Sequence, residues 1–138
     1  MCAILAGDAG PLRVVEEGRA VRAVLSRYPR TWGQVLIILR RHVTTFNDVS
    51  AEEWGEACHL ARELAQRIET RLSPLRCYVS CLGTHRTDVP MSSPHLHLHI
   101  DPIYDPEDRP RTILTHKHGV LEAHEEEWDS LKALLKIR

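Results

Sequence analysis

The chain has 138 residues, 18 basic and 19 acidic, for a formal charge of -1 with histidine neutral. At this length one domain is the default, and folding buries roughly 68 % of the surface that the unfolded chain exposes. A near-zero charge excludes a general nucleic-acid footprint, and a composition 43 % hydrophobic and 27 % charged excludes bulk disorder. The longest aliphatic run, Val35 to Leu39, is too short to span a bilayer. The start, Met-Cys-Ala-Ile-Leu-Ala-Gly, lacks the basic and long apolar regions of a signal peptide. A soluble, cytoplasmic protein is the expectation.

No internal repeat, low-complexity segment or linker is visible before about residue 101. Residues 12–26 read as a hairpin turning near Glu17-Gly18, and Pro29 to Gly33 supply turn chemistry. Gln34 to Leu39 form a β-branched, apolar strand. Ser50 and Glu53 have capping-box spacing, in which each side chain satisfies an orphan backbone N–H at a helix start. Behind them Trp54, Ala57, Cys58, Ala61, Leu64, Ile68 and Leu72 recur at three- and four-residue steps, predicting an amphipathic helix over 51–72 that Ser73-Pro74 ends. Residues 75–82 and 95–100 read as strands around a polar loop at 83–94. Pro102, Pro106 and Pro110 predict an irregular segment over 101–111, because proline lacks a donor and fixes φ. A last helix is expected at about 124–137, with Glu125, Glu126 and Glu127 in its first turn and Trp128, Leu131, Leu134 and Leu135 on its apolar side. Strands clustered around one long helix indicate an α+β fold with a largely antiparallel sheet.

The four cysteines are Cys2, Cys58, Cys77 and Cys81, and no pair has Cys-x-x-Cys spacing. On one strand Cys77 and Cys81 would stand about 13 Å apart, too far for a disulfide. Free thiols, mostly small buried hydrophobes, are expected.

The segment Pro94-His95-Leu96-His97-Leu98-His99-Ile100 carries the most chemistry. Alternation puts three imidazoles on one strand face and Leu96, Leu98 and Ile100 on the other. A row of titratable rings is costly if buried, and histidine can serve as nucleophile, acid and base near neutral pH. A solvated histidine face and a zinc site using His95 and His97 are the other readings of the same row. The outer pair stand about 13 Å apart, so three in a row suit a single ion poorly.

His-Leu-His-Leu-His-Ile resembles the signature of the histidine triad (HIT) superfamily, and Gln-Val-Leu-Ile-Ile-Leu-Arg-Arg-His-Val at 34–43 is similar to its strand running into a basic pair and a histidine. The helix from Ser50 and the Asp101-Pro102 step fit the same pattern, so that the resemblance covers about residues 12–104. It implies a HIT-like fold, a five-stranded antiparallel sheet with two main helices, as a homodimer whose sheets join. Residues 1–104 would form the HIT domain. Residues 105–138 would be a C-terminal extension packing on the same domain or on a dimer partner, with a part in setting specificity.

The resemblance further implies attack at phosphorus in a nucleotide or related phosphate ester, with a nucleotidyl-histidine intermediate. Carried over by position, His97 is the nucleophile, His99 donates to phosphoryl oxygen or leaving group, and His95 flanks the phosphate with support from His42. Ser92 matches a Ser/Thr that touches phosphate or leaving group. Three positions depart from the pattern. Ser26 stands where an acidic residue grips the ribose, Met91 where glutamine is frequent, and Gly83 or Thr84 where asparagine is usual. Asp101 occupies the last apolar position of the signature. Some members hold structural zinc through Cys-x-x-Cys and two histidines; here Cys2 remains and Leu5 stands at the second cysteine position, so no such zinc and no cofactor are expected.

Arg86 and His85, in the loop before the triad, are further phosphate-binding candidates, and Trp32 is a candidate beside the nucleobase. Arg40 and Arg41 read as a solvated basic pair, His59 as exposed, Trp54 and Trp128 as packing residues, and His116, His118 and His124 as a solvated terminal group. The resemblance implies a hydrolase, a nucleotide phosphoramidase or dinucleoside polyphosphate hydrolase, since in this superfamily a triad ending in histidine and not glutamine favours hydrolysis over nucleotidyl transfer. The alternative is a catalytically weak nucleotide- or partner-binding protein of the same fold.

Overall fold

The structure is a computed structural model, and it describes residues 1–6, 8, 10–82, 93–114 and 119–137. In chain order the elements are α1 (Cys2–Ala6), β1 (Val14–Glu17), β2 (Val21–Leu25), β3 (Val35–Leu39), α2 (Ala51–Leu72), β4 (Arg76–Ser80), β5 (His97–Ile103), α3 (Pro110–Ile113) and α4 (Glu125–Leu135). The five strands form one sheet of order β1-β2-β3-β5-β4, with every neighbouring pair antiparallel. The expected α+β, HIT-like architecture is therefore the observed one.

Register divides the sheet into two faces. Ile37 opposes Leu98 and Val35 opposes Ile100, and these side chains join Val21, Ala23, Leu25 and Leu39 in the core beneath α2. From α2 the buried residues are Ala57, Leu60, Ala61, Leu64 and Ile68. Helix α4 adds Trp128, Leu131 and Leu135 to the same core. It packs against α2 and β1 of its own chain. On the opposite face Val24, Leu36 and Ile38 form a smaller cluster covered by Met1, Ile4, Leu5, Leu12 and Val14.

The capping box forms: the Glu53 N–H donates to Ser50 Oγ at 3.2 Å and the Ser50 N–H to Glu53 Oε2 at 2.9 Å. At the other end of α2, Ser73 closes the helix in the left-handed region at φ 51°.

Several expectations need correction. Residues 101–103 are strand, not irregular, because β5 runs through Pro102 to Ile103. The Ile103 carbonyl accepts from the Leu75 N–H on the β4 side. Pro102, one residue back, turns its missing donor the other way, past the start of β3, where no ladder bond is lost. Pro110 occupies the first turn of α3, where a proline costs nothing. The cysteines are free, but Cys2 and Cys58 are exposed and Cys77 and Cys81 half-buried, so none is a core residue. Cys58 lies off the buried stripe of α2, and Leu134 points away from the core at 38 % exposure. Among the described residues strand β4 pairs only with β5, and it carries Val79 half-exposed, with Leu75 and Leu82 exposed just beyond its ends.

Candidate active site

The site lies on the sheet face away from α2. Register sets His97 opposite Ile38 and His99 opposite Leu36. His97 is buried and His99 partly so. A carbonyl oxygen can only accept, so the 2.6 Å contact between His97 Nδ1 and the His95 carbonyl fixes the proton on Nδ1. The Nε2 lone pair is thereby left free of a proton. His99 Nε2 stands 2.9 Å from His97 Nε2 and is the donor of that pair. Burial pushes the His97 pKa below its usual value, against the smaller opposing pull of the His95 carbonyl. The ring is thus kept neutral.

His95 is held differently. Its Nε2–H donates to the Leu39 carbonyl at 2.6 Å, and its Nδ1 lies 3.3 Å from Cys2 Sγ. His42 Nδ1 lies 3.1 Å from the same sulfur. The Leu96 N–H donates to the Val43 carbonyl at 2.6 Å, joining the end of β3 to the approach to β5 and bringing His42 edge-on to His95 with ring centroids 5.1 Å apart. Both ring nitrogens of His95 are therefore engaged away from His97.

Arg40 and Arg41 are exposed, as expected, and both also make ion pairs. Arg40 pairs with Glu17 and donates from Nε to the Gly18 carbonyl. Arg41 donates to both Glu53 oxygens, at 3.0 and 2.8 Å, and to the Asp48 carbonyl. The basic pair ties the β3 end, and with it His42, to the hairpin turn and to the start of α2.

One strand row beyond His99 lies a buried polar group that register, not local sequence, assembles. The Ser26 N–H donates to the Gln34 carbonyl, and Gln34 Nε2 donates to Asp101 Oδ1. Arg30 Nη2 lies 3.6 Å from the same oxygen. Asp101 is fully buried, and desolvation lifts its pKa to about 6 despite Arg30 and Gln34. Asp101 is visible in the sequence as a departure. Gln34 and Arg30 are not, since only the β3–β5 register reveals their target.

Trp32 is the residue expected beside the nucleobase. It stacks on Trp128 with centroids 4.9 Å apart and packs on the α2-side core. Ser92, Arg86, His85, Met91, Gly83, Thr84, His116 and His118 lie outside the described residues. His59 is exposed and pairs with Glu63 at 3.2 Å.

Beside the triad opens a cavity of about 580 Å³, within the ~300–1,000 Å³ usual for small-molecule sites. Its lining includes Leu36, the strand partner of His99, with Ile4, Leu12 and Val24, and the polar residues Arg27, Tyr28 and Glu122. Sequence reasoning missed this group, because Glu122 reaches the cavity only through the return of the C-terminal segment.

The HIT domain profile matches residues 10–105. The chain belongs to the HIT domain family. A zinc-bound histidine triad family protein from Mycobacterium smegmatis is similar in structure at TM-score 0.74 and 21 % identity, over 97 % of this chain and 90 % of that one. A hypothetical histidine triad nucleotide-binding protein from Sulfolobus tokodaii gives 0.74 and 19 %, over 97 % and 87 %. A HIT family member from Bacillus subtilis gives 0.66 and 25 %, over 91 % and 82 %. Among curated proteins, none matches the sequence.

The family resemblance implies a metal in some members, and three side chains with ligand atoms converge here. Cys2 Sγ, His42 Nδ1 and His95 Nδ1 offer ligand atoms within 4.8 Å of one another. Zinc bonds of about 2.3 Å to sulfur and 2.0 Å to nitrogen place tetrahedral S···N edges near 3.5 Å, close to the 3.1 and 3.3 Å seen. The Leu39 carbonyl holds the His95 proton on Nε2 and leaves Nδ1 the ligating atom, the outer-sphere arrangement zinc histidines use. The expectation of no zinc rested on Leu5, which packs on the apolar cluster and offers no fourth ligand. The donor set nonetheless fits a cation held by three protein atoms.

Proposed function

We propose that this HIT protein is a nucleotide hydrolase acting at phosphorus, a phosphoramidase or dinucleoside polyphosphate hydrolase. The observation that supports this reading is the His97 ring: its proton is held on Nδ1 by the His95 carbonyl, and Nε2 is aimed at His99 at 2.9 Å. In the proposed reaction His97 Nε2 forms a bond to phosphorus as the P–N or P–O bond to the leaving group breaks. The departing amine or phosphate takes the His99 Nε2 proton. Water then attacks the nucleotidyl-histidine, giving a proton back to His99 as the P–N bond to His97 breaks.

His95 is a positioning residue in this scheme, since its carbonyl fixes the nucleophile and its ring is engaged by Leu39 and Cys2. His42 supports His95. Ser92 and Arg86 are the expected donors to the phosphoryl oxygens, and Ser26 is the residue expected at the ribose. A zinc ion would be held by Cys2, His42 and His95, and would supply a fixed cross-link between α1 and the strand ends.

The test is steady-state hydrolysis of nucleoside 5′-phosphoramidates by wild type and His97→Asn. Turnover should fall by roughly 10³-fold or more in the variant, and a covalent nucleotidyl adduct should be trapped on wild type alone. Tight nucleotide binding with no turnover in wild type would favour the binding-protein reading, to which the loss of an acidic residue at Ser26 lends weight.

A further inference from the structure

We propose that the cavity beside the triad selects guanine over adenine, read by Arg27 and Glu122; the proposal rests on the nucleotide reading of the site and adds the identity of the base. The cavity has an apolar part, Ile4, Leu12, Val24 and Leu36, suited to the face of a heterocycle. Four charged side chains line it: Arg13, Arg27, Glu122 and Glu125. Two of them satisfy each other, because Arg13 Nη2 donates to both Glu125 oxygens at 2.6 and 2.7 Å. Among the described residues Arg27 and Glu122 form no ion pair, so one cation and one carboxylate remain for a ligand.

The Arg27 guanidinium is placed by its surroundings. It lies over the Tyr28 ring, 5.9 Å from the centroid. Also close to it is Gly10, at φ +93°, where an added Cβ would stand 3.1 Å from Arg27 Nη1. Glycine at this position meets both the backbone conformation and the close approach of the guanidinium.

A purine offers two edges to such a pair. Guanine presents O6 and N7, two acceptors that a guanidinium can bind together. Its N1–H and N2 amino group form two parallel donors that a carboxylate can accept together. Adenine replaces the O6 acceptor by an amino donor and has no N1–H, so each charged group would lose a partner. A site whose polar groups are left unpaired rejects a ligand more strongly than an apolar pocket does. Ser26, next to Arg27 in the chain, is the position that the family resemblance sets at the ribose, so the ligand would run as base, ribose and phosphate towards His97.

The experiment measures binding of GMP and AMP to the full chain by calorimetry, with hydrolysis of guanosine and adenosine 5′-phosphoramidates alongside. Wild type should prefer GMP by roughly tenfold or more, with a matching ratio of kcat/KM. Arg27→Leu and Glu122→Gln should each bring the GMP/AMP ratio towards one. Equal affinities in wild type, or a ratio unmoved by Arg27→Leu, would overturn the proposal even if both phosphoramidates are turned over. Selective GMP binding without turnover of either compound would uphold the base assignment and retire the hydrolase reading. Binding of neither mononucleotide would overturn both.

Discussion

Asp101 is a carboxyl that the fold buries at a cost. A carboxyl in the unfolded chain releases its proton near pH 3.9, whereas Asp101 holds its proton until about pH 6. Between these values the native state binds more protons than the unfolded one, so this group lowers stability as pH rises through the window and adds no further change above it. The penalty is of the order of 3 kcal/mol at neutral pH, of which roughly 2 kcal/mol builds up above pH 4. Asp101→Asn keeps the shape and removes the titration. Urea unfolding at pH 4 and pH 7.5 should show the wild type losing roughly 2 kcal/mol more than the variant over that interval. Equal pH dependence in the two proteins would mean that Arg30 and Gln34 keep the carboxylate charged throughout. At this scale the sequence is uneven in what it reveals. Alternation alone places His95, His97 and His99 on one face, because strand geometry has a period of two. Ser26, Gln34 and Asp101 are 8 and 67 residues apart along the chain, and only strand pairing sets them in one row.

Among the elements, those with long periodic patterns were legible and those that depend on docking were not. The helix at 51–72 carries its own cap and stripe, and its bounds are those of α2. Helix α1 has five residues, too few to be stable alone, and exists where Met1, Ile4 and Leu5 cover Val24, Leu36 and Ile38. The end of β5 was hidden by Pro102, whose cost depends on which side its absent donor faces. Cys2 supplies a second attachment for α1, through His42 and His95. Dialysis against zinc should therefore leave one equivalent of metal per chain and raise the thermal midpoint. Cys2→Ala should lose the metal and the increment together. Substoichiometric zinc in wild type would mean that three donors without a fourth protein ligand are too few.

For the whole molecule, the last helix was legible but its docking was not, since nothing local to residues 120–128 announces that they return to the sheet. Trp128 anchors the return by stacking on Trp32 and lying under the Arg13 guanidinium, 5.4 Å from its ring centroid. The Leu121 N–H fastens the preceding chain to the Pro29 carbonyl at 2.6 Å. By these contacts one wall of the cavity comes from outside the 10–105 match, so members with the same triad and a different C-terminal segment would present a differently lined cavity.

The open side of β4 bears on how the molecule responds to dilution. A strand paired on one side only leaves backbone donors and acceptors without partners along its rim, here flanked by Leu75, Val79 and Leu82. The homodimer that the family resemblance implies would close this rim by strand-to-strand pairing. Mass action then couples folding to association, and the unfolding midpoint should climb with protein concentration. Val79→Lys should weaken association and flatten that climb while leaving the secondary structure of the isolated chain intact. A midpoint independent of concentration over a hundredfold range, with a monomeric mass in sedimentation, would show that the rim is tolerated in water by a chain that stands alone.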